Sequence, residues 1–129
     1  MILLDTCTLI WDAIEPGKLT PTAKKALKHS KNELMICDIS IWEISMLIKK
    51  KRLIIEGSAS EFINLILQSR NFHIQPITPE IAELSVNFGI EINNDPADRL
   101  IAASSILKNS PVITADHNLR GATIVETIW

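Results

Sequence analysis

Short, wholly apolar runs recur along this chain, separated by longer stretches that open like helices. Ile2-Leu3-Leu4, Leu34-Met35-Ile36-Cys37 and Pro111-Val112-Ile113-Thr114 are the clearest. Apolar runs this short, with no polar alternation, read as strands covered on both faces. Between them stand Thr20-Pro21, Thr78-Pro79 and Asp95-Pro96. Each is a capping side chain followed by proline at the first helical position. Strands that alternate with helices restrict the chain to an α/β fold with a mostly parallel sheet, covered on both sides through right-handed crossovers.

The remaining elements follow from local pattern. A short helix is expected from Thr8 to Ala13, closed off before Pro16-Gly17, and another from Pro21 to about Ser30. Ser40 to about Lys51 places Ile41, Ile44, Leu47 and Ile48 on one helical face. Ser58 or Ser60 caps a helix reaching Arg70, and Phe72 to Ile77 reads as a third strand. Helices from Pro79 to near Gly89 and from Pro96 to about Leu107 come next. Asp116 to Leu119 is a helical turn, and Ala122 to Val125 a fifth strand.

Composition narrows the class. The 129 residues fit one domain spanning 1–129, long enough to bury roughly two-thirds of the chain's surface. Hydrophobic residues make up 47% and charged residues 22%, which argues against disorder. The net charge of −2 gives no bulk support for nucleic-acid binding, but leaves room for a local basic patch. Cys7 and Cys37 form no CxxC pair, so reduced thiols in the cytoplasm are the expectation. Acid and polar residues follow Leu4 at once, unlike a signal peptide, and no apolar run approaches a membrane span.

In open α/β sheets, ligands bind just beyond the carboxyl ends of the strands. Asp5 follows the first strand and Asp116 the fourth, while Glu43 and Asp98 fall in the first turns of helices. If those turns point to one sheet edge, four carboxylates converge. Such a group repels itself unless a cation neutralises it or some members stay protonated. Oxygen-only donors favour Mg²⁺ or Mn²⁺, ions suited to phosphodiester hydrolysis.

Structural readings compete at most of these positions. Ser40 and Glu43 fit a capping box, Asp95 an N-cap, Asp98 an acid favoured by the helix dipole, and Asp116 a cap of the following turn. Asp5 has no comparable structural reason at the end of a buried central strand. Asp38 ends the second strand and is a second-tier candidate. Lys49, Lys50, Lys51 and Arg52 either track an RNA backbone or complement a helix C-terminus. Arg99 either orients a carboxylate or phosphate, or lies on the surface. His29, His73 and His117 show no ligand spacing, Cys7 reads as a packing residue, and Trp11, Trp42 and Trp129 as core or interface anchors.

Four segments in order, ILLDTCTLIW, SIWEISMLIKKKRL, DPADRLIAAS and VITAD, together with the closing Ile128-Trp129, resemble PIN-domain ribonucleases of the VapC type, the toxins of type II toxin–antitoxin pairs. The resemblance implies a five-stranded parallel sheet in the order 3-2-1-4-5 between helices. It implies metal-dependent endonucleolytic cleavage of RNA with water as nucleophile. Asp5, Glu43, Asp98 and Asp116 fall on the family's acidic metal positions, with Thr6 and Thr114 on polar positions beside them. The implied partners are a small antitoxin and a second toxin copy. Asn93-Asn94 and Ala97 depart from the pattern where close relatives often carry a His, a basic residue and an aromatic; both departures flank the site.

Other classes fit less well. A phosphoryl-accepting receiver wants paired acids after the first strand and a late lysine. A haloacid-dehalogenase phosphatase wants a second Asp where Cys7 stands. A non-catalytic PIN-like binding module differs from the nuclease only in whether the four acids act together.

Overall fold

A computed structural model describes residues 1–29 and 31–129. Strand β1 (Ile2–Leu4) leads into helix α1 (Thr6–Ile14), a single 3-10 turn (Pro16–Lys18) and α2 (Pro21–Lys28). Strand β2 (Leu34–Cys37) runs directly into α3 (Asp38–Lys49), followed by α4 (Ala59–Ser69), β3 (Phe72–Gln75) and α5 (Pro79–Asn87). Helix α6 (Pro96–Lys108), β4 (Val112–Ile113), α7 (His117–Gly121) and β5 (Thr127–Ile128) complete the chain.

All five strands are parallel, in the order β3-β2-β1-β4-β5. Strand β1 is central: Leu3 pairs with Met35 on one side and Val112 on the other. Side-chain alternation then divides the core. Ile2, Leu4, Ile36 and Ile113 face a layer containing Leu9 and Ile10 of α1, Leu27 of α2, Ile44 of α3 and Ile66 of α4. Leu3, Met35 and Val112 face Ile101 and Ala102 of α6 and Leu119 of α7. None of the described helices is long and apolar enough to cross a membrane.

The Thr-Pro and Asp-Pro devices act as the sequence suggests. Thr20 accepts the Ala23 N–H at 3.1 Å, Thr78 the Ile81 N–H at 3.2 Å, and Asp95 the Ala97 N–H at 2.8 Å. Ser58, not Ser60, caps α4, accepting the Glu61 N–H at 3.2 Å. Helix α2 ends at Lys28, and the expected end near Ser30 lies outside the described residues.

Three expectations are corrected. The last strand is Thr127–Ile128, not Ala122–Val125: Thr127 and Ile128 carry the pairing with Val112 and Ile113. Ala122 and Val125 are apolar because they fill the core beside Leu119, a demand that mimics a strand signal. Helix α3 begins at Asp38 rather than Ser40, because the chain turns into helix immediately after Cys37. Strand β3 stops at Gln75, since Pro76 follows and cannot donate to a ladder.

Candidate active site

Parallel strands deliver their carboxyl ends to one edge, and the acids gather there. Asp5 is the single residue between β1 and α1. Its Oδ1 accepts the Thr8 N–H at 2.8 Å and its Oδ2 accepts the Thr114 hydroxyl. Asp5 is therefore the N-cap of α1, a structural role the sequence did not suggest. Thr114 follows β4 and also accepts the Asp116 N–H at 3.0 Å, so one hydroxyl links the acids after β1 and β4. Asp116 in turn caps α7 through the Leu119 N–H at 2.9 Å. Asp5 is only 7% exposed. Burial raises its pKa, Asp116 adds to the rise, and hydrogen bonds from Thr114 and Thr8 oppose it.

Glu43 enters from α3. Ser40 lies inside that helix, with its hydroxyl 2.9 Å from the Thr6 hydroxyl, so the capping box does not form. Glu43 is left half-buried, without that structural duty. Burial raises its pKa, the Thr6 hydroxyl opposes, and Asp95 and Asp5 add to the rise. Asp98 stands in the first turn of α6, where the dipole favours a negative charge. Its Oδ2 accepts the Asn93 side-chain amide at 2.9 Å. Burial still pushes its pKa up to about 6; Asn93 opposes, while Asp95, Asp116 and Glu43 contribute.

Cys7 marks the point where these fields meet. Its side chain is exposed, not packed inside as expected, because it is the second residue of α1, at the end where the cleft opens. Partial burial and then the charges of Asp5, Glu43, Asp98 and Asp116 push its thiol up to about 11. The charges of all four predicted acids thus reach this thiol. Among the described residues the salt bridges are Lys18–Glu15 and Arg70–Asp12, and neither involves these four.

Four carboxylates without a compensating cation are a donor set for a hard divalent ion. Among the described residues, no three acid, cysteine or histidine side chains already stand at coordinating spacing. Like charges in such a set repel, and a cation between them would offset that repulsion. Hydrogen bonding does not exhaust the oxygens, since each carboxylate oxygen carries two lone pairs.

Other candidates are placed elsewhere. Asp38 turns toward β3, where its Oδ2 accepts the Ile77 N–H at 3.2 Å. Arg99 has no carboxylate partner among the described residues and is not simply surface: it donates to the carbonyls of Asn93 at 2.8 Å, Ser85 at 3.1 Å and Phe88 at 3.3 Å. It therefore fixes the loop that presents Asn93 to Asp98. Asp95 keeps its capping role and lies close enough to raise Glu43 and Asp98. Lys49, Lys50, Lys51 and Arg52 are exposed at the far end of α3, and all three histidines are exposed. Trp11 and Trp129 pack against the core with ring centroids 6.0 Å apart, but Trp42 is 56% exposed. Sequence reasoning missed the role of Asn93; its position three residues before the Pro96 that opens α6 was the available signal.

Residues 2–124 match the PIN domain family. Over 121 residues the chain is 30% identical to ribonuclease VapC22 of Mycobacterium tuberculosis, covering 92% of this chain and 89% of that protein. It is similar to a chain of a toxin–antitoxin complex from Klebsiella pneumoniae, at 25% identity and a TM-score of 0.66, covering 97% and 95% of the two chains. The fold is also shared with VapBC2 from Rickettsia felis bound to a promoter DNA fragment, at 16% identity, a TM-score of 0.70 and coverage of 98% and 97%. On the extent of these matches and the agreement in sheet order, the chain belongs to the PIN domain family and is similar within it to the VapC ribonucleases.

Proposed function

We propose that this protein is a VapC-type endoribonuclease, the toxin of a toxin–antitoxin pair, that hydrolyses RNA phosphodiesters with the help of Mg²⁺ or Mn²⁺. The observation that carries the reading is the placement of Asp5 and Asp116 at the ends of the adjacent strands β1 and β4, joined through the Thr114 hydroxyl, with none of Asp5, Glu43, Asp98 and Asp116 in a salt bridge among the described residues. Asp5, Glu43, Asp98 and Asp116 would hold the ion. When bound, it supplies the positive charge that draws in the phosphodiester and favours water as the nucleophile.

The chain's own residues set the geometry. Thr114 fixes the relation of Asp5 to Asp116, Thr6 and Ser40 join α1 to α3 beside Glu43, and Asn93 orients Asp98. The proton leaving the attacking water passes to a carboxylate oxygen of the cluster. Lys49, Lys50, Lys51 and Arg52 lie beyond the acids on α3 and attract the RNA backbone. With water as nucleophile, a deoxy sugar at the cut site leaves cleavage possible. Complete resistance with binding intact would count against this chemistry.

The proteins of similar fold include toxin–antitoxin complexes. A partner that silences this site must offset four carboxylates, so a basic side chain, arginine best, is expected to enter it. A complex that leaves the four acids open to solvent would refute this. The function is tested by cutting a mixed cellular RNA pool with Mn²⁺ or chelator. Metal-dependent cutting that disappears in Asp98→Asn, with the fold unchanged, is expected; equal cutting by both proteins would overturn the assignment of Asp98.

A further inference from the structure

Trp42 is the one indole of this chain that stays largely outside the core. It neighbours Glu43 on α3, and an apolar groove of about 530 Å³ opens beside the acids there. Trp42, Met46, Pro96 and Ala97 form its apolar wall, while Glu43 and Asp95 line it too. The groove is thus continuous with the carboxylate site through Glu43. Along α3, Trp42, Met46 and Lys49 follow the i, i+4, i+7 pattern and share one face, and Lys50 is the C-cap that follows. From Trp42 to Lys50 the helix advances ~12 Å. Along this side of α3 the exposed aromatic plate of Trp42 stands beside the acid Glu43, the apolar Met46 follows one turn on, and positive charge closes the C-terminal end.

We propose that Trp42 is the platform on which an unpaired nucleobase next to the scissile phosphate stacks, with the strand continuing along α3 to the basic run. This rests on the nuclease reading above. The occupant must have a flat apolar face, must continue from a phosphate at the acids, and must carry negative charge at Lys49 and Lys50. A single-stranded RNA meets all three demands. A duplex does not, because its base faces are covered by their neighbours. The indole accepts any base, so Trp42 gives affinity for single strands and little preference among sequences.

The test measures binding and cutting together, in Mn²⁺, on single-stranded oligoribonucleotides of about twelve nucleotides and on matching duplexes. Trp42→Ala is expected to weaken single-strand binding and lower kcat/KM roughly ten-fold, with Trp42→Phe recovering most of the loss. Duplex binding should hardly change. An abasic nucleotide beside a mapped cut should cost wild type the same factor and cost Trp42→Ala nothing further. Losses that add, or a Trp42→Ala protein that binds and cuts single strands like wild type, would overturn the proposal. An unchanged Trp42→Ala nuclease that loosens from its protein partner would also overturn it, and assign the groove to that partner. Wild-type protein that binds single strands through Trp42 without cutting would overturn the hydrolase reading and keep the platform. Wild type that neither binds nor cuts would overturn both.

Discussion

At the amino edge of the sheet, where β3 begins, Arg70 clamps Asp12 with hydrogen bonds of 2.7 and 2.9 Å and donates a third, at 3.3 Å, to the Leu27 carbonyl. At the carboxyl edge Asp5, Glu43, Asp98 and Asp116 have no such clamp among the described residues. The two edges belong to the same strands and differ in how charge is settled. The clamped acid ties α1 to the segment entering β3, and its pairing raises the affinity of Arg70 for its proton. Three of the unclamped acids, Asp5, Glu43 and Asp98, have raised pKa values, chiefly through burial, which means that the fold holds their charged forms against their preference. A cavity of about 790 Å³ lies at the clamped edge beside His29, Arg70 and His73, away from the acids. The proposed site therefore rests on unbalanced charge and not on cavity size.

The sharpest way to break this contrast is to neutralise one charged side chain at each edge. Asp98→Asn should lower metal-dependent RNA cleavage roughly 10²-fold or more while leaving metal-free stability at or above wild type. A large drop in the metal-free melting temperature would instead make Asp98 a structural acid like Asp12. At the opposite edge, Arg70→Met should cost about 2 kcal/mol in urea unfolding, because it strands the buried Asp12 carboxylate. Its Mn²⁺ affinity and cleavage should match wild type. Lost activity at full folding would show that the two edges are coupled.

Asn93→Ala sharpens the comparison at a single hydrogen bond. Freed from the amide, the Asp98 carboxylate loses its fixed orientation, and kcat should fall about ten-fold. Melting temperature should move little, and an unchanged kcat would reduce Asn93 to a loop residue. The smallest effect is in pH dependence. An acid with a folded pKa above its unfolded value adds stability at low pH, and loses it as pH rises through the folded value. With Asp98 at about 6 and Asp5 and Glu43 also raised, metal-free stability from this cluster should decline between about pH 4 and pH 7. Thermal melts of Asp98→Asn should show a flatter decline, and saturating Mn²⁺ should reverse the slope, because ligation requires the ionised acids. A cluster slope that rises with pH in chelator would mean that the acids are already balanced.

The architecture was legible because each signal had one cause. Leu34-Met35-Ile36-Cys37 is apolar on both faces only because both faces are covered, and Thr78-Pro79 has few uses other than opening a helix. The four acids were legible as a set from the likeness of their segments, and as positions from the rule that parallel sheets bind ligands at strand ends. What failed were residues with two demands on them. Val125 is apolar for burial yet β-branched, so it imitated a strand that forms two residues later. Ser40 and Glu43 have capping-box spacing, but the helix starts one half-turn earlier, and that depends on how tightly β2 turns into α3. Asp5 turned out to cap α1, which only the geometry after Leu4 reveals. The contact from Asn93 to Asp98 depends on Arg99 gathering the carbonyls of the 85–93 loop, a long-range arrangement that local pattern does not encode.

The most direct measurement is a calorimetric titration of metal-free wild type, Asp98→Asn and Arg70→Met with Mn²⁺. Saturable binding at or below millimolar concentration is expected for wild type and Arg70→Met, with at least ten-fold weaker binding for Asp98→Asn. Equal binding by all three proteins, or none by wild type, would contradict the assignment of the carboxyl-edge acids as a divalent-metal site.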